Sequence, residues 1–101
     1  MSNVTETVNA GRIVSHGKIT SLTAAFSTTN GQPFSIFVIP KNGTDVLPIT
    51  VSCRLMLDTA ASVCPISLYC WNEVMIIEIA AAAINLSLYD VYWGCGASIT
   101  N

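Results

Sequence analysis

Residues 48–58, PITVSCRLMLD, alternate apolar and polar side chains more strictly than any other stretch of the chain. Ile49, Val51, Cys53, Leu55 and Leu57 share one face, and Thr50, Ser52, Arg54 and Asp58 share the opposite one. Side chains of an extended backbone point alternately to its two faces, so this pattern predicts a half-buried strand. It also fixes the register, because a slip of one residue would turn the whole apolar set toward solvent.

The flanking sequence repeats the theme of short apolar runs broken by turns. RIVSH (12–16) reads as a first strand with Gly17-Lys18 as its turn, and ITSLTAAFS (19–27) as an alternating second one. Two Asn-Gly pairs, Asn30-Gly31 and Asn42-Gly43, mark tight turns because both residue types tolerate positive φ. Between them FSIFVI (34–39) is apolar on both faces, which suits a covered, central strand. Small residues and Pro65 make 59–70 a connection with a short strand at 66–70. NEVMIIEIA (72–80) reads as a strand with Met75, Ile77 and Ile79 inward, and LSLYDVYWG (86–94) as an aromatic-rich final strand. The alanines of 80–83 favour helix locally, but only a turn or two would fit, so they are read as a connection. The first eleven residues are polar and aperiodic and read as an arm. Six to eight short strands without a long helix predict a single all-β domain over 1–101, an antiparallel β-sandwich of immunoglobulin-like or jelly-roll-like kind.

Only 10% of the residues are charged and 51% are hydrophobic, against about 25% charged in an ordinary soluble domain. The longest apolar stretch, 74–88, contains Glu78 and Asn85 and is shorter than the roughly 20 residues a spanning helix needs. No membrane partner is expected. A module that buries part of its surface against neighbours fits better, since obligate interfaces are apolar. Arg12, Lys18, Lys41 and Arg54 are scattered, so no nucleic-acid partner is expected either. The start of the chain has no basic segment followed by an apolar one, which predicts assembly in a cytoplasm with reduced thiols.

Residue types that carry chemistry are few and scattered. His16 is the one histidine, and no basic cluster accompanies Cys53, Cys64, Cys70 or Cys95 to lower a thiol pKa. The cysteine gaps match no zinc pattern, and a Cys64–Cys70 disulfide is the better minority reading. Glu73 and Glu78 face opposite sides of one strand, no phosphate-binding loop occurs, and no cofactor is expected. The expectation is a protein without enzymatic activity. Its contact-surface candidates are Asp90, Tyr92, Trp93 and Trp71; within the last strand, Tyr89 and Trp93 share the side that suits the core, and Tyr92 with Asp90 the other. The glycines around Cys95 read as loosening the strand end.

The ending LYDVYWGCGASITN, after EVMIIEIAAAAINL, resembles the C-terminal half of small structural proteins of tailed bacteriophages, notably auxiliary capsid (decoration) and head-fibre proteins of crAss-like phages. The resemblance extends to length, polar arm and strand-turn rhythm, and carries no site residue across. It implies a virion subunit on the capsid surface, bound to the major capsid protein or other virion proteins and able to form homo-oligomers. A carbohydrate- or host-surface-binding β-sandwich, stacking sugars on Trp71, Tyr92 or Trp93, is the alternative.

Overall fold

The computed structural model describes residues 13–28 and 31–96. The polar arm expected over 1–11 lies outside the described residues. The described chain forms six strands: β1 (Ile13–Ile19), β2 (Ser35–Pro40), β3 (Ile49–Leu55), β4 (Ser62–Ile66), β5 (Ile76–Ile79) and β6 (Tyr89–Gly96). They make two three-stranded antiparallel sheets, ordered β1-β6-β2 and β4-β3-β5, with no helix among the described residues. The fold is an all-β sandwich.

The core lies between the sheets. Ile36, Val38 and Val91 of the first sheet and Val51, Cys53, Ile66, Ile76 and Ile79 of the second are fully buried. Each fully buried aliphatic side chain contributes about 1.5–3 kcal/mol by leaving water. β3 buries Val51 and Cys53 as its alternation requires, with Ile49 and Leu55 packed at the core margin. Leu57 falls beyond the strand and is 90% exposed, so the apolar face ends one repeat earlier than the sequence suggests.

Several expected boundaries move. β1 runs straight through Gly17-Lys18 instead of turning there. Gly17 pairs with Trp93, and a Cβ on it would stand 2.7 Å from the indole Nε1. The glycine is there because the indole lies against the bare backbone. Residues 20–25 form no strand; Leu22 anchors the segment to the core, and Phe26 exchanges two main-chain hydrogen bonds of 2.9 Å with Ile79. The short strand expected at 66–70 lies instead at Ser62–Ile66, where Pro65 is tolerated because β4 is an edge strand.

In β5 the inward set is Ile76 and Ile79, while Met75 is 57% exposed and Ile77 half-buried. The cause is a bulge. Cys53 pairs with Ile79, Arg54 with Glu78 and Leu55 with Ile76, so Ile77 is the extra residue and the inward phase shifts by one across it. β6 likewise continues through Gly94 and the buried Cys95 to Gly96, so these glycines do not loosen its end. Residues 80–85 are a connection, as expected, with Ala82 held at φ 58°.

Candidate functional site

The outer face of the β1-β6-β2 sheet carries the most distinctive arrangement of side chains. The register pairs Lys18 with Tyr92 and Tyr92 with Phe37, and an isolated bridge joins Phe37 to Trp71 beyond the edge of β2. Pairing opposite residues on one face brings their side chains together, so these four form a row across the sheet. The Lys18 ammonium sits 5.8 Å from the centre of the Tyr92 ring, within cation–π range. Phe37 and Trp71 meet edge to face, 5.4 Å between centroids at 74°.

Asp90, two residues before Tyr92 on the same face, accepts the Lys18 ammonium at 3.2 Å and lies 3.9 Å from that of Lys41. All three are partly exposed, so the cluster contributes little to stability and acts mainly to hold both lysines over the sheet. The face therefore carries an aromatic run from Tyr92 to Trp71 and, beside it, an ionic group in which Asp90 stands between two cations.

Trp71 is positioned by an unusual loop. The Asn72 side chain accepts the Ser67 amide at 2.8 Å and donates to the Ile36 and Ser67 carbonyls at 3.1 Å. The Tyr69 amide donates to Val38 and the Asn72 amide to Ile36, at 2.9 and 3.2 Å, which fastens the loop to the free edge of β2. Within it Tyr69 takes φ 66°, a left-handed conformation that an L-residue enters at a cost of about 1–2 kcal/mol. The tight closure made by Asn72 holds it there, and Tyr69 remains 42% exposed.

Of the candidates read from sequence, Asp90, Tyr92 and Trp71 come together on this face. Trp93 does not join them. It points between the sheets, half-buried against the core, with its ring 6.3 Å from Phe26. Tyr89 packs against the core as well. Sequence reading missed Lys18, Phe37, Lys41 and Tyr69. Phe37 had a signal, the second apolar face of residues 34–39; the lysines had none, because their role depends on cross-strand register.

The groups with chemical potential are dispersed. His16 is exposed on β1. Cys53 and Cys64 are diagonal neighbours on the inner face of β3 and β4, since Val51 pairs with Cys64 and Cys53 with Ser62. Burial, with the Cys64 thiol beside it, pushes the Cys53 thiol up to about 12, and burial raises that of Cys95. Both thus stay protonated, the opposite of what a nucleophile requires. Cys70 is exposed, and the four cysteines are free thiols. Among the described residues no three His, Cys, Asp or Glu side chains gather as a metal site would need, and no helix is long and apolar enough to cross a membrane. A cleft of about 320 Å³ between Phe26, Gln32, Trp93 and Cys95 has no acid and no base among the described residues that line it.

Compared with protein-family models, curated protein sequences and solved structures, the chain matches none.

Proposed function

We propose that this protein is a non-enzymatic virion structural subunit, an auxiliary or decoration protein that binds a phage capsid and stabilises the shell or supports head fibres. The observation that carries the reading is the row Lys18–Tyr92–Phe37–Trp71 on the outer face of a sheet. Rigid aromatic anchors beside a cation are the groups that most often dominate protein–protein contacts. The elevated thiols of Cys53 and Cys95 and the scattered acids support a binding role over catalysis. The resemblance of the sequence to phage auxiliary capsid proteins supplies the identity of the surface it would meet, the major capsid protein. Virion assembly would then take place in the host cytoplasm.

The test is quantitative mass spectrometry of purified particles of the virus that encodes the chain. A high, fixed copy number relative to the major capsid protein is expected, and Tyr92→Ala with Phe37→Ala should release the subunit while its fold persists. Absence from particles would overturn the proposal.

The same aromatic row favours a second reading, a platform on which sugar rings stack. Trp71 and Tyr92 would carry it, and Trp93, being turned inward, would not. Glycan-array binding that disappears with Trp71→Ala in a folded protein, in the absence of any particle association, would select this reading over the first.

A further inference from the structure

The two sheets present four outer strands, β1, β2, β4 and β5; the free edges of β2 and β5 are covered, and that of β4 is interrupted by a proline. The β2 edge carries the Tyr69 and Asn72 amides on the Val38 and Ile36 carbonyls. The β5 edge exchanges hydrogen bonds with Phe26 and Phe34 through Ile79 and Ile76. The β4 edge contains Pro65, which has no amide to donate. Among the described residues β1 has no such closure.

The ladder phase shows which β1 groups face outward. The Lys41 amide donates to Leu88 at 2.9 Å, one pair beyond Pro40 and Tyr89 in the β2–β6 register. Hydrogen-bonded pairs alternate in an antiparallel ladder, so Tyr92 bonds Phe37 while Val91 and Trp93 turn their main-chain groups toward Ile19 and Gly17. The outward carbonyls of Ile36 and Val38 agree with this phase. On β1 it leaves the amides and carbonyls of His16 and Lys18 pointing away from β6.

Exposed edge strands are commonly guarded by a lysine. Here the guard is withdrawn, because the Lys18 ammonium is drawn inward over β6 to Asp90 and Tyr92. The edge is flat over Ser15–Ile19, free of proline, and its one irregularity lies nearer the start, between Ile13 and Ser15.

We infer that β1 is a strand-addition site and that its occupant is β1 of a second copy, antiparallel about a two-fold axis at Gly17. In that register His16 pairs with Lys18 of the second copy and Lys18 with its His16, so about four hydrogen bonds satisfy every outward group of the flat segment. Gly17 then faces its own counterpart in the closer, non-hydrogen-bonded pairing, about 4.5 Å between Cα atoms, where it presents no side chain. An acidic foreign strand is disfavoured, since Lys18 already has its carboxylate in Asp90. The product is one continuous six-stranded sheet, β2-β6-β1-β1-β6-β2, with the aromatic row repeated on its outer face. The inference stands apart from the capsid proposal and needs no virion partner. One added strand buries little area, so the dimer is weak, in the micromolar to millimolar range.

Sedimentation equilibrium of the full chain between about 10 µM and 1 mM tests it, paired with residue-resolved amide exchange at both ends of that range. Dimer formation is expected together with protection of the His16 and Lys18 amides that grows with concentration. The Gly17 and Ile19 amides, bonded to β6, should be protected throughout. His16→Pro removes an outward donor without touching the β1–β6 ladder and should weaken the dimer at least about tenfold. Should that variant fail to fold, exchange in the unaltered chain still decides. A monomer at all concentrations overturns the inference, whether His16 and Lys18 exchange freely or are protected by residues 1–12. A dimer whose His16 and Lys18 amides exchange freely overturns it equally.

Discussion

Replacing Gly17 with alanine should destabilise the protein in a way traceable to one neighbour. In an ordinary strand, Gly→Ala is favourable by roughly 0.5–1 kcal/mol because glycine loses more backbone freedom on folding. Here the new Cβ would lie 2.7 Å from Nε1 and 3.0 Å from Cε2 and Cζ2 of Trp93. Uncrowded non-bonded contacts sit near 3.5–4.0 Å, so the indole must retreat by roughly 0.8 Å. It cannot do so freely, since its other side packs toward Phe26, which itself meets Phe34 edge to face at 5.3 Å. Overpacking of this kind costs about 1–3 kcal/mol, which exceeds the entropic gain. A net loss of about 1–2 kcal/mol corresponds to a fall in Tm of roughly 5–15 °C for a domain of this size. The assay is a double-mutant cycle with Trp93→Phe, followed by urea denaturation. Phenylalanine removes the crowding ring atoms at a cost on the order of 2 kcal/mol. The double variant should then lose less than the sum of the singles, by about 1 kcal/mol. Additivity within about 0.5 kcal/mol, or a stabilising Gly17→Ala, would refute the reasoning.

Asn72→Asp should cost about 1–3 kcal/mol and raise amide exchange at Tyr69, because a carboxylate would face the Ile36 and Ser67 carbonyls that the amide now serves. Ala82→Gly should gain about 1 kcal/mol in chemical denaturation, since φ 58° suits glycine and strains alanine. Stability should decline above pH 9: the unfolded Cys53 thiol ionises near its ordinary value of 9.0, whereas the folded one holds its proton to about 12. Its contribution is complete below pH 9 and is lost as pH rises toward 12, by about 1.4 kcal/mol per unit. Cys53→Ala should flatten that slope in reducing buffer. Asp90→Asn should change stability by less than about 1 kcal/mol, and the small effect should shrink further in high salt.

Fold class was legible because it depends on local patterns. The alternation of β3 and the Asn-Gly punctuation are properties of neighbouring residues, and period two leaves little freedom in how such a segment is buried. The errors arose where a distant partner overrides the local signal. Gly17 reads as a turn unless Trp93 is known to lie against it. The phase of β5 reads as Met75, Ile77 and Ile79 until the bulge opposite Arg54 and Leu55 shifts it. Pro65 reads as a strand breaker until β4 is seen to lie at an edge. The candidate surface divides in the same way. Tyr92 and Asp90 in the aromatic ending and Trp71 well before it were accessible as exposed-type residues, while Lys18 and, beyond its apolar signal, Phe37 joined them through the β1-β6-β2 order.

That strand order has a consequence for how the chain acquires its shape. β6 is the last of the described strands to be synthesised, yet it is the middle strand of its sheet, and β1 and β2 have no ladder with each other. During translation the second sheet can assemble from consecutive segments while the first waits for its central member. Ile13 must finally meet Gly96 across nearly the whole described length. Such non-local closure slows folding relative to a meander of the same size. Until it occurs the apolar strands β1 and β2 stand open, so the partly made chain is the form most prone to aggregate.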